Sequence, residues 1–236
     1  MIKQDLRIKN IPAILWGLKS DKLFIAIHGS MSNKADDNIV VFAEEALAKG
    51  YQVLSFDLPE HGDRNNEPYV CKVQNYVQDL STIMDYAKSL SNNISIFACS
   101  LGAYFSLLAY SREPLKQCLF LSPVVDMERI INNMMTWFNI SESKLKLEKE
   151  VPTPIGQTLY WDYYSYVKEH PIITWNCATS ILYGSEDNLC ELDVISAFAK
   201  HFNCKLQIME HGEHYFHTKE HLEFFRKWVR KNIFYN

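Results

Sequence analysis

The sequence has no C-x-x-C pair, no tight cysteine–histidine cluster, no long apolar run, no internal repeat and no excess of basic charge. Each absence excludes something. Cys71, Cys99, Cys118, Cys177, Cys190 and Cys204 are scattered along the chain, which argues against a zinc finger or ribbon; we expect no metal and no cofactor. No stretch approaches the ~18 uninterrupted apolar residues of a membrane span. The opening MIKQDLRIKN mixes charges and has no apolar signal core. A soluble, cytoplasmic protein without a membrane partner is expected. With 24 Lys and Arg against 28 Asp and Glu, the formal net charge is −4. That sign disfavours a phosphate-backbone binder, so no nucleic-acid partner is expected either. What the chain does have is apolar mass: 47% hydrophobic and 13% aromatic residues over 236 positions. This is enough to bury a core without staples and too much for disorder.

Short apolar runs alternate with segments of helical period. Leu23–Ile27, Gln52–Phe56, Ile94–Ala98, Cys118–Ser122, Ser180–Tyr183 and Lys205–Met209 read as strands. Most are too apolar for a half-solvated sheet, which points to parallel strands covered on both faces. Between them, Ile39, Phe42, Ala43, Ala46 and Leu47 form one helical stripe, closed by Gly50. Tyr76, Val77, Leu80, Ile83, Met84 and Ala87 form another. Leu222, Phe225, Trp228, Val229 and Ile233 form a last, with Thr218 as N-cap. Two β-like runs around Pro12 should add antiparallel edge strands. The chain reads as one α/β domain, 1–236. Between 127 and 171 the alternation stops: an amphipathic helix from Met127 to Phe138 is followed by SESKLKLEKE and then VPTPIGQTLYWDYYSYV. A long insertion of this kind is usually functional, often a lid; its charged run reads as a solvated face.

Ile94–Ala98 leads into Cys99-Ser100-Leu101-Gly102 and then a helical segment to Arg112. A serine at a sharp strand-to-helix turn exposes its hydroxyl at the carboxyl edge of the sheet. There the helix amino terminus and nearby N–H groups can stabilise an oxyanion. Small residues are needed two positions to either side, and Ala98 and Gly102 occupy them. The pattern small-x-Ser-x-Gly is weak alone; the strand before and the helix after give it weight.

At this point the chain resembles the α/β-hydrolase superfamily. His28-Gly29-Ser30 after a central strand looks like that family's oxyanion loop. Asp57-Leu58-Pro59-Glu60-His61-Gly62 looks like its D-x-x-G/x-H-G turn. Gly184-Ser185-Glu186-Asp187 resembles the segment that places the acid, and Met209–His214 the loop bearing the histidine. The order Ser, Asp, His is the family's own. The resemblance implies an α/β-hydrolase fold: a mostly parallel central sheet flanked by helices, with a helical lid (127–171) inserted after the sixth strand. It implies Ser100 as nucleophile, His214 as base and Asp187 as the acid that fixes the imidazole. The N–H groups of Ser30 and Leu101 would then form the oxyanion hole. Asp126 is the rival acid, but Gly184 allows the tight turn the motif needs. His211 and His217 compete with His214, which alone follows Gly212 as the family's loop does; a metal-binding histidine run is the other reading. His28 and His61 read as structural loop histidines. Two departures stand out: Ala98 replaces the first glycine of G-x-S-x-G, and Asp63-Arg64 should put charges near the mouth of the site.

The expected activity is cleavage of a small carboxylic ester or thioester through an acyl-enzyme, with a small-molecule acyl substrate and no cofactor. An acyltransferase or a catalytically silent binding protein of the same fold are the alternatives. Aromatic residues crowd positions 160–166, and Met134, Met135, Trp137 and Phe138 precede them. Such residues suit an apolar pocket. Met134, Trp137, Phe138 and Trp161 are therefore expected to contact substrate, with the insertion roofing Ser100.

Overall fold

The computed structural model describes residues 1–67 and 72–234; Cys71 lies outside them. Two antiparallel strands open the chain, β1 (Lys3–Ile8) and β2 (Ile11–Trp16). Then follow β3 (Lys22–Ile27), α1 (Asp37–Ala48), β4 (Gln52–Phe56), α2 (Val73–Leu90), β5 (Asn93–Cys99), α3 (Leu101–Ala109) and β6 (Cys118–Leu121). After α4 (Met127–Trp137) and α5 (Glu142–Glu148) come β7 (Glu150–Pro152), β8 (Thr158–Tyr160) and α6 (Trp161–Glu169). The chain closes with β9 (Thr179–Gly184), α7 (Leu192–His201), β10 (Lys205–Met209) and α8 (Lys219–Asn232).

Eight strands form one sheet in the order β1-β2-β4-β3-β5-β6-β9-β10, parallel from β4 to β10. Only β1 is an edge at that end; β2 lies inside, between β1 and β4. Pro12 is tolerated there because the β2–β4 ladder begins at Ala13, while the Pro12 carbonyl accepts from the Asp57 N–H. Every residue of β4 and all but the first of β3 are buried, so both sheet faces are covered. α1 packs on α8, and α2 on α3. The α1 side holds stacked Phe42, Phe97 and Phe225 rings. Thr218 caps α8 by accepting from the His221 N–H. No helix among the described residues is long and apolar enough to cross a membrane.

The chain divides into two compact units: Met1–Val125 with Thr174–Asn236, and Asp126–Ile173. The second unit leaves after β6, and Ile131, Met135, Leu145, Val151, Leu159 and Val167 in it are buried. Asp126 caps α4 through the Arg129 N–H, and the Tyr164 hydroxyl of α6 donates to Asn132 of α4. The unit also contains the antiparallel pair β7–β8, which the pattern of apolar residues does not announce. Its strands have three residues each, and Pro152 and Pro154 read as breakers; Pro152 sits at the end of the pairing, opposite Thr158.

Candidate active site

Five of the nine non-glycine residues with positive φ among the described residues follow carboxyl ends of sheet strands: Met31, Glu60, Ser100, Ser122 and His211. Backbone held in this region at a sheet's carboxyl edge makes that edge the candidate site. Ser100 has φ 46° and ψ −116° between β5 and α3. Its N–H donates to the Leu121 carbonyl, and its carbonyl accepts from Ala103 and Val124. The elbow is thus held by main chain alone, which leaves the hydroxyl for other work. A Cβ on Gly102 would lie 2.5 Å from the His28 carbonyl oxygen, so α3 can approach β3 only with glycine there.

The Ser100 hydroxyl lies 2.8 Å from His214 Nε2, and His214 Nδ1 lies 2.7 Å from Asp187 Oδ2. The other Asp187 oxygen accepts from the Leu189 and Cys190 N–H groups, each at 2.9 Å. The Asp187 side chain is fully buried and that of His214 is 18% exposed. The carboxylate is therefore shielded from water, while the imidazole keeps some exposure. The two loops are pressed together. A Cβ on Gly184 would stand 2.3 Å from the Gly212 carbonyl oxygen, and that same oxygen accepts the Glu186 N–H. Two glycines thus set the spacing between the Asp187 and His214 loops.

His211 points away: its side chain is 86% exposed and pairs with Glu186, whose hydrogen bond raises the imidazole pKa. His217 donates to the Tyr215 carbonyl. Asp126 is occupied as the cap of α4. Among the described residues, one group offers three possible metal-ligating atoms within 4.8 Å of one another: Asp187, Cys190 and His214. Two of its members are already joined as acid and imidazole.

Gly29 lies against the elbow, where a Cβ would be 3.1 Å from Ser100 Cβ. The next residue is Ser30. Among the described residues neither the Ser30 nor the Leu101 N–H has an acceptor; Leu101 opens α3, whose first N–H groups have no intrahelical partner. His28 fixes this loop from below. Its Nδ1–H donates to the Gly29 carbonyl at 2.7 Å and its Nε2 accepts the Leu58 N–H. Burial pushes its pKa down to about 4 from 6.5, so it stays neutral. A clamp invisible in the sequence completes the loop. Buried Asp57 accepts from the Lys34 N–H, the Lys34 ammonium and the Asp63 N–H. Burial works against the Lys34 charge, but hydrogen bonds to Asp57 and Asp63 outweigh it and raise its pKa. Arg64 departs from expectation: its side chain is buried, not poised at a mouth, and it pairs with Asp79 at 2.6 Å and with Glu67. A guanidinium at this depth needs carboxylate partners, and α2 supplies one.

His28 gives a stability prediction. Between pH 6.5 and about 4 the unfolded chain binds a proton on this residue that the folded chain refuses. Stability therefore falls as pH drops through that window, by about 3 kcal/mol from this group. Urea midpoints at pH 7 and pH 4.5 should show a smaller acid loss in His28→Gln than in wild type. Equal losses would remove His28 from the account.

Of the positions expected to meet substrate, Met134 is buried, Phe138 and Trp161 are half-buried and Trp137 is 59% exposed.

No family model and no curated protein matches the sequence. Solved structures do. Est1E from Butyrivibrio proteoclasticus with ferulic acid bound is 20% identical, with a TM-score of 0.77 over 97% of this chain and 96% of that one. Mouse alpha/beta hydrolase domain-containing protein 10 is 17% identical, with a TM-score of 0.76 over 98% of each chain. The Pyrococcus furiosus esterase Pf2001 is 21% identical, with a TM-score of 0.67 over 98% of this chain and 90% of that one. The fold is the α/β-hydrolase fold.

Proposed function

We propose that the protein is a cofactor-independent serine hydrolase that cleaves a small carboxylic ester or thioester through an acyl-enzyme. The observation that carries this reading is the unbroken series Ser100 Oγ, His214 Nε2, His214 Nδ1, Asp187 Oδ2, with separations of 2.8 and 2.7 Å. A serine hydroxyl is un-ionised at neutral pH, so a base within hydrogen-bond reach must take its proton as it attacks. His214 accepts that proton; Asp187 holds the tautomer and stabilises the imidazolium. The carbonyl oxygen becomes an alkoxide, met by the Ser30 and Leu101 N–H groups; loss of one such donor costs about 3 kcal/mol. Collapse expels the alcohol or thiol, which takes the proton back from His214. Water, activated by the same imidazole, then releases the acid. Esterases among the fold's neighbours, one with ferulic acid bound, support the reaction class.

A panel of esters, thioesters and amides of graded acyl length tests the reading. Turnover of esters or thioesters with Ser100 labelled by a fluorophosphonate is expected. A protein that binds acyl compounds without turning any over, or without labelling, is a silent binder. Transfer to an added alcohol in preference to water makes it an acyltransferase. The reading includes a cytoplasmic location and no membrane partner, and also no nucleic-acid partner, the last supported by the net charge of −4.

The insertion 127–171 is proposed to act as a lid that sets acyl selectivity through Met134, Trp137, Phe138 and Trp161. Its supporting features are its aromatic and methionine content and its departure after β6, whose carboxyl end faces the functional edge. Replacing Met134 or Trp137 by alanine should change the ratio of kcat/KM between short and medium acyl esters by roughly 10-fold, about one or two methylenes in a pocket. Exposed Trp137 is the cleaner probe, because its loss leaves the buried residues of the insertion intact. An unchanged ratio in both variants would place selectivity elsewhere.

A further inference from the structure

Three cysteines gather at the amino ends of three adjacent parallel strands, away from the carboxyl ends that carry Ser100 and Asp187. Cys118 opens β6, Cys177 stands two residues before β9, and Cys204 directly precedes β10. The Cys118 and Cys177 sulfurs are 3.0 Å apart. Main chain fixes Cys118, and the Thr179 side chain holds Cys177. Cys118 pairs in register with Thr179, and its N–H donates to the Ala178 carbonyl at 2.9 Å. The Thr179 hydroxyl donates to the Cys177 carbonyl at 2.9 Å and accepts from the Trp175 indole N–H at 2.8 Å. The two thiols differ in access: Cys118 is buried and Cys177 half-exposed. An oxidant therefore meets Cys177 first and finds the second sulfur already beside it.

We propose that Cys118 and Cys177 form a reversible oxidation site that closes to a disulfide when the protein meets a hydroperoxide. The Cys177 thiolate attacks the peroxide, takes one oxygen to become a sulfenic acid and releases water or an alcohol. The Cys118 sulfur then attacks the sulfenic sulfur, the S–S bond forms, and the hydroxyl leaves as water with the Cys118 proton. Two thiols and one hydrogen peroxide give one disulfide and two waters; two equivalents of a thiol reductant reverse it. Burial pushes the Cys118 thiol pKa well up, which makes Cys118 the resolving thiol and leaves the first attack to Cys177. The bond joins the strand after which the second unit leaves to the segment by which the chain returns. The closed loop of roughly 60 residues therefore contains all of Asp126–Ile173. Restricting that loop in the unfolded chain should raise Tm by about 5–10 °C.

The test is independent of the hydrolase reading. Purified protein is treated with a few equivalents of hydrogen peroxide and alkylated. It is then digested with trypsin and a glutamyl endopeptidase, which separates Cys177 from Cys190 by cleaving after Glu186. The expected product is a Cys118–Cys177 linked peptide that dithiothreitol abolishes, together with the rise in Tm. Cys177→Ser should lose both responses and Cys204→Ser should keep them. Two alkylated thiols after treatment, Cys177 driven to sulfinic acid without a link, or a link from Cys118 to Cys204 would overturn the proposal.

Discussion

Ser100→Ala should lower kcat by at least about 10³-fold while the protein stays folded. The fold survives because the elbow depends on main-chain bonds from Ser100 to Leu121, Ala103 and Val124, none of which involves the hydroxyl. Alanine also keeps the Cβ at the same strained φ, so Tm should move by no more than a few degrees. Activity falls because the removed oxygen is the partner of His214 Nε2. In wild type, mass spectrometry after fluorophosphonate treatment should place the adduct on Ser100. Gly102→Ala makes an instructive contrast: the serine remains, but a Cβ 2.5 Å from the His28 carbonyl would push the elbow off the His28–Ser30 loop. Labelling at another serine, or full activity in Ser100→Ala, would end the assignment of nucleophile.

The elbow was legible because its signal is local: an apolar strand, a small residue either side of the serine, then a helix. The same holds for β3, β4 and α8, where period and capping residues lie within a few positions of one another. Much of what supports the site is not local. The clamp of Lys34 on Asp57 spans 23 residues of sequence, and it exists because β3 and β4 are neighbours in the sheet. Arg64 reads as a surface charge until α2 brings Asp79 to it. Cys118 and Cys177 meet because β9 returns beside β6 after the whole second unit. Periodicity reports burial and element type; strand order decides which distant side chains meet, and no single segment carries that order. The pair β7–β8 escaped for a different reason, since three-residue strands flanked by proline are too short to show a period.

His214→Ala should abolish turnover, with a loss comparable to that in Ser100→Ala, since nucleophile and base act as a unit and their deletions are not additive. Three histidines fall within positions 211–217, so neighbours provide an internal control. His211 is directed to solvent and Glu186, and His217 to the Tyr215 carbonyl; His211→Ala and His217→Ala should each retain most of the activity. Asp187→Asn should also be severe, about 10²–10⁴-fold, because an amide facing Nδ1 no longer enforces the tautomer that leaves Nε2 free to accept. A chelator discriminates this account from its rival. The ligand atoms of Asp187, Cys190 and His214 lie within 4.8 Å of one another, a donor set that a zinc ion would accept. If His214 works as a base hydrogen-bonded to Asp187, EDTA leaves the rate unchanged. If EDTA abolishes turnover and zinc restores it, the imidazole is a ligand rather than a base, and the nucleophile would have to be a metal-bound water instead of Ser100.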